Sequence, residues 1–129
     1  MQMTVQQAAA FTVTAEIIYH NNWKVGWWDD AVQNGGTIPD KYLIPTKIAL
    51  MHSELSEGLE GQRKNLPDDH LPDLPMELVE YADAIIRILD VCGYKRWDIG
   101  GAILRKLEYN AQRPDHKREA RQQAGGKAV

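Results

Sequence analysis

No part of this chain alternates apolar and polar residues for the length of a strand. Apolar residues instead recur at helical spacing in stretches set apart by proline and glycine. That punctuation predicts an all-α fold of four to five helices. The first helix runs from about Thr4 to about Asn22. The segment "AVQNGGTIPDKY" follows, where Asn34, Gly35, Gly36 and Pro39 forbid a regular element. A second helix begins near Pro45, which a first turn tolerates, and reaches about Asn65. The three prolines of "LPDDHLPDLP" break the chain before a third helix, Pro75 to about Cys92, which stops at Gly93. A fourth opens after Asp98 as N-cap and ends at Pro114. The 129 residues suit one domain with a core over 1–114, and 115–129 reads as a basic, disordered tail of that domain.

Composition removes several function classes. With 15 basic and 18 acidic residues the net charge is −3, so no global basic field exists to hold nucleic acid. The single cysteine, Cys92, lies in the apolar run "IIRILDVCGY" and reads as a buried, inert thiol, and no disulfide can form within one chain. The N-terminus lacks a basic segment followed by an unbroken apolar core, and no run approaches the roughly 18 apolar residues of a membrane span. A cytoplasmic protein with no membrane partner is expected.

Chemistry concentrates on two acidic helices. In "HSELSEGLEG", Glu54 and Glu57 lie one turn apart on one face, as do Glu80 and Asp83 in "ELVEYADAIIR". The apolar stripe of Ile48, Met51, Leu55 and Leu59 flanks the first pair, and Ala82, Ile85 and Leu89 flank the second. Packing of the stripes against each other would leave the acids along its edge. Gly58 and Gly61 share the first acidic face at up to about 1 kcal/mol each relative to alanine, which suggests close approach by another group. Four converging carboxylates repel unless a hard cation sits among them, and oxygen-only donors favour Mg²⁺ or Mn²⁺ over zinc. Such acid pairs are equally ordinary on a solvated helix surface. Lys47 lies seven residues before Glu54 and Arg87 seven after Glu80, on the same faces, while "KLEYNAQR" stacks Lys106, Asn110 and Arg113. That stripe is a donor set for polyphosphate, or else a solvated basic face favoured by the helix dipole. "NNWKVGWWDD" puts Trp23, Trp27 and Trp28 within six positions, either a flat wall for a ring-shaped ligand or core and interface residues ending the first helix.

E-x-x-E, a gap of 22 residues, E-x-x-D, then K-x-x-x-N-x-x-R-P and a Gly-Gly-Lys tail together resemble the MazG-like branch of the all-α NTP pyrophosphohydrolases, in its short phage and bacterial forms. "GWWDD", "RKNLPDDHLP" and "KLEYNAQRPDHK" extend the resemblance over nearly the whole chain. It implies a helical bundle completed by oligomerisation, as a homodimer or homotetramer, hydrolysing a (d)NTP to (d)NMP and pyrophosphate with Mg²⁺, for which Mn²⁺ can substitute. Carried over by residue, Glu54, Glu57, Glu80 and Asp83 hold the metal, with Glu57, or else Glu54, orienting or deprotonating the water. Lys106, Asn110 and Arg113 hold the phosphates with Lys47, Arg87 and Lys127. The base pocket draws on Asn21, Asn22, Trp23, Lys24, Trp27 and Trp28, with one tryptophan at the base and the others in the core or an interface. The larger stacking face and richer edge of guanine lean the substrate towards a purine, (d)GTP first. The sequence departs from the family pattern where "KREARQQA" separates His116 from Gly125. Two alternatives stand beside this reading: phosphoribosyl-ATP pyrophosphohydrolase, with the same acid motif, and a non-catalytic helical interaction protein. A ferritin-like di-iron protein would use Glu-x-x-His, which both acidic helices lack.

Overall fold

A computed structural model describes residues 1–126, and over that range the fold is all-α. The five helices are α1 (Val5–Lys24), α2 (Asp40–Lys64), α3 (Met76–Lys95), α4 (Ile99–Gln112) and α5 (Arg118–Gln122). Thr4 caps α1 reciprocally: its Oγ1 accepts the Gln7 N–H at 3.1 Å while Gln7 Oε1 accepts the Thr4 N–H at 2.9 Å. Asp98 caps α4 as expected, accepting the Gly101 N–H at 3.0 Å.

Several boundaries differ from the expectation. α2 starts five residues before Pro45, because extended Pro39 ends the preceding loop and Asp40 suits a helix N-terminus. Tyr94 Oη and Lys95 Nζ also donate to the Asp40 carboxylate at 2.8 and 2.9 Å. Pro45 is absorbed into the helix at the cost of one backbone hydrogen bond. α3 does not stop at Gly93 but runs on to Lys95. Gly93 serves the approach of α1 instead, since a Cβ there would lie 2.5 Å from the carbonyl oxygen of Ala15. The loop after α1 contains a 3₁₀ turn, Val32–Asn34, and the expected tail carries α5.

α3 packs against both α2 and α1, and α4 packs against α1. The long helices therefore follow one another in the spatial order α2, α3, α1, α4, an open arrangement rather than a closed bundle. The main core lies where the loop after α1 folds back: Trp28, Ala31, Leu43, Val91 and Tyr94 are buried together. The Trp28 and Tyr94 rings stack at 4.0 Å, with Tyr19 edge-on to both at 5.7 and 5.9 Å. Ala15, Leu89 and Cys92 form a second cluster, where burial pushes the Cys92 thiol pKa up, as suits an inert core residue.

The apolar stripes of α2 and α3 do not pack together. Ile48, Leu55, Leu59 and Ile85 all remain exposed. The helices meet through the acidic face itself, with Glu54, Gly58 and Gly61 buried on α2 and Glu80 and Ala84 on α3. The two glycines make this approach feasible. A Cβ on Gly61 would sit 2.8 Å from Met76 Cβ, and one on Gly58 would sit 3.4 Å from Glu80 Cβ. The group that approaches is α3. Among the described residues no helix is long and apolar enough to cross a membrane.

Candidate active site

The α2–α3 seam gathers three carboxylates. One oxygen from each of Glu54, Glu57 and Glu80 falls within 4.8 Å of the others, with Glu54 and Glu80 buried and Glu57 exposed at the rim. Burial raises the Glu80 pKa to about 7, reinforced by the Glu57 charge, a hydrogen bond with Glu54 and the charges of Glu54 and Asp83. Asp83, the fourth predicted ligand, does not join this group. It is half-buried one turn further along α3, its pKa raised by burial and then by Glu54, against the opposing pull of Arg87. The donors are all carboxylate oxygens, a set suited to a hard divalent cation.

Arg87 closes one side. Its Nε donates to Glu54 Oε1, and its guanidinium lies 5.7 Å from the centre of the Trp27 ring. Lys47 stands nearby: its Nζ donates to the Trp27 carbonyl at 3.0 Å and sits 3.9 Å over the Trp28 ring. Burial lowers the Lys47 pKa, while Asp90 works to raise it. Of the predicted phosphate-binding residues, the structure thus brings Arg87 to the acidic seam, while Lys47 stands against Trp27 and Trp28, within electrostatic reach of Arg87 and Asp90.

The three tryptophans separate. Trp27, about half exposed, is the one beside Arg87. Trp28 must be withdrawn from the base pocket: it has no exposed surface, Tyr94 covers one face, and its Nε1 donates to buried Asp90 Oδ1 at 2.9 Å. Trp23 stacks on His20 at 6.5 Å and donates from Nε1 to Asn34 Oδ1 at 3.1 Å. Asn21 is exposed, as is Lys24. Asn22 Nδ2 is buried with no hydrogen bond of good geometry, though the amide is close enough to Asp90 to favour its charged form.

Two acids escaped the sequence analysis. Asp90 lies one heptad beyond Asp83, and its raised pKa reflects burial first, opposed by Trp28, Asn22, Lys47 and Arg87. The i, i+7 spacing was the available signal, but nothing in the sequence marked the residue as buried. Asp68 is buried in the proline-rich loop, where its Oδ2 accepts the His70 and Leu71 N–H groups at 2.9 and 2.8 Å, and its charge acts on Asp83.

The predicted stripe on α4 is not part of this site within one chain. α4 packs on α1, away from the α2–α3 seam. Lys106 and Arg113 flank the Tyr109 ring at 4.8 and 5.8 Å, Arg113 is paired with Asp115, and Asn110 Oδ1 is buried without a partner. Lys127 lies outside the described residues. Compared with models of known protein families, with curated proteins and with solved structures, the chain finds no match in any of the three.

Proposed function

We propose that the chain is a Mg²⁺-dependent nucleotide pyrophosphohydrolase of the MazG-like kind, converting a (d)NTP to (d)NMP and pyrophosphate. One observation carries this reading: Glu54, Glu57 and Glu80 converge within 4.8 Å in a seam that holds two of them away from water. Like charges so placed oppose one another, and the Glu80 pKa is raised by burial first and then by its carboxylate neighbours Glu57, Glu54 and Asp83. A divalent cation held there would supply neutralising charge for the carboxylates and phosphate and Lewis acidity toward a water. Glu54, Glu57 and Glu80 would hold it, with Asp83 at the edge. Glu54 is engaged by Arg87, so exposed Glu57 is the carboxylate with room to orient a water or take its proton. Arg87 beside the carboxylates and Lys47 beside Trp27 would be the cations to answer phosphate charge, and the exposed Trp27 ring would be the one to stack on a base. Lys106, Asn110 and Arg113 could contribute only from another copy of the chain, in a homodimer or homotetramer.

The test is product analysis across the eight common NTPs and dNTPs with Mg²⁺. Equal amounts of monophosphate and pyrophosphate are expected, with a purine, (d)GTP first, preferred. Orthophosphate as the initial product, or no metal-dependent turnover of any of the eight, overturns the reading.

A further inference from the structure

Arg87 holds a carboxylate that the proposed cation also needs. Its Nε donates to Glu54 Oε1, and Glu54 is one of the three acids that converge in the seam. Both side chains are withdrawn from water, 26% and 9% exposed, so each charge depends on the other. An ion held by Glu54 would lie within about 7 Å of the Arg87 Nε, whichever carboxylate oxygen it took. Repulsion between one and two positive charges at that range exceeds thermal energy several-fold at the effective dielectric of a protein site. The guanidinium and the ion are therefore rivals for one carboxylate.

The guanidinium also has a second seat. It lies 5.7 Å from the centre of the Trp27 ring, which is about half exposed. Asp83 and Asp90, one turn away in either direction along α3, both feel its charge. Rotation about the arginine's own side-chain bonds would thus take it off Glu54 without removing it from negative charge or from the aromatic face.

We propose that Arg87 is an internal competitor of the divalent cation for Glu54: its guanidinium leaves that carboxylate when the cation is taken up and turns to the Trp27 side of the seam. This rests on the metal site of the proposed activity. A residue that only oriented Glu54 would keep its hydrogen bond and assist cation binding, whereas a competitor opposes it.

Calorimetric titration of the full chain with Mg²⁺ alone separates these roles, at about pH 8.5 so that Glu80 carries its charge. Arg87→Met keeps much of the aliphatic bulk and removes the charge, and should bind Mg²⁺ about tenfold more tightly than wild type. Arg87→Lys keeps the charge and should stay within about threefold of wild type. Removing one partner of a buried pair destabilises the fold, so Arg87→Met should melt below wild type without Mg²⁺ and recover when it is added. A measurement on the wild type needs no Met variant to fold: the Arg87 Nε–H proton signal, identified by its absence in Arg87→Lys, should be protected from solvent exchange without Mg²⁺ and lose that protection at saturation. Mg²⁺ affinity that is unchanged or weaker in Arg87→Met, or an Nε–H signal that is absent from the start or retained at saturation, overturns the competition and leaves the metal site standing. No Mg²⁺ binding by any of the three proteins overturns both together.

Discussion

Glu80 is the residue on which the seam turns. Its folded pKa, about 7, lies above the ordinary glutamate value, so the folded state holds a proton that the unfolded chain releases. The stability this confers is complete below about pH 4.5 and is lost as pH rises to about 7. Without divalent cations, stability should therefore fall by ~1–3 kcal/mol across that window. Glu80→Gln should flatten the slope, and added Mg²⁺ should restore stability at the alkaline end; thermal melts at each pH, with and without Mg²⁺, would show both. The tryptophans divide as sharply. Trp28→Ala removes a fully buried indole stacked on Tyr94 and strands the Asp90 carboxylate, so a loss of about 3–5 kcal/mol in denaturant unfolding is expected. Trp27→Ala should leave stability within about 1 kcal/mol and, if the proposed base site is right, lower kcat/KM about tenfold or more. Both residues were visible in "NNWKVGWWDD", but their separation was not. Which of two adjacent indoles turns inward depends on where the loop after α1 meets α3, a contact spanning 62 positions from Trp28 to Asp90.

At the scale of the helices, what the sequence revealed and what it hid follow from local and non-local causes. Caps and breakers act within a few residues, so Thr4, Asp98, the prolines of 67–75 and the all-α class were legible. Which face of α2 meets α3 is decided by the fit of two surfaces, and hydrophobicity pointed to the wrong one. The glycines were the better guide. Gly61→Ala would place its Cβ 2.8 Å from Met76 Cβ and 3.0 Å from the Glu77 nitrogen, so the seam must open and a loss of about 1–3 kcal/mol is expected despite better helix propensity. At Gly58 the nearest atoms are 3.4 and 3.5 Å away, and Gly58→Ala should be neutral or stabilise by up to about 1 kcal/mol. Urea unfolding of the pair separates close approach from helix propensity, and equal effects at both positions would refute the packing argument.

For the whole molecule, the separation of α4 from the acids makes a composite site testable. If a neighbouring chain supplies Arg113, then Glu80→Gln and Arg113→Ala, each inactive alone, should complement when mixed and refolded, since hybrid dimers carry one site free of both substitutions. Statistical pairing predicts about a quarter of wild-type activity, and no recovery would put the site within one chain. The α2–α3 seam has a different relation to the rest of the fold. Only residues 65–75 connect its helices, in a loop tied by Asp68 and by the Met76 N–H bond to the Leu66 carbonyl at 3.0 Å. A loop of about ten residues closes in ~10–100 ns, whereas docking α1 onto α3 must first bring together segments some seventy positions apart. The carboxylates are therefore forced together early, before most of the core exists to compensate for their repulsion. Electrostatics should then govern the folding rate as well as the end state: Mg²⁺ should speed refolding with little effect on unfolding, and Glu80→Gln should remove that acceleration.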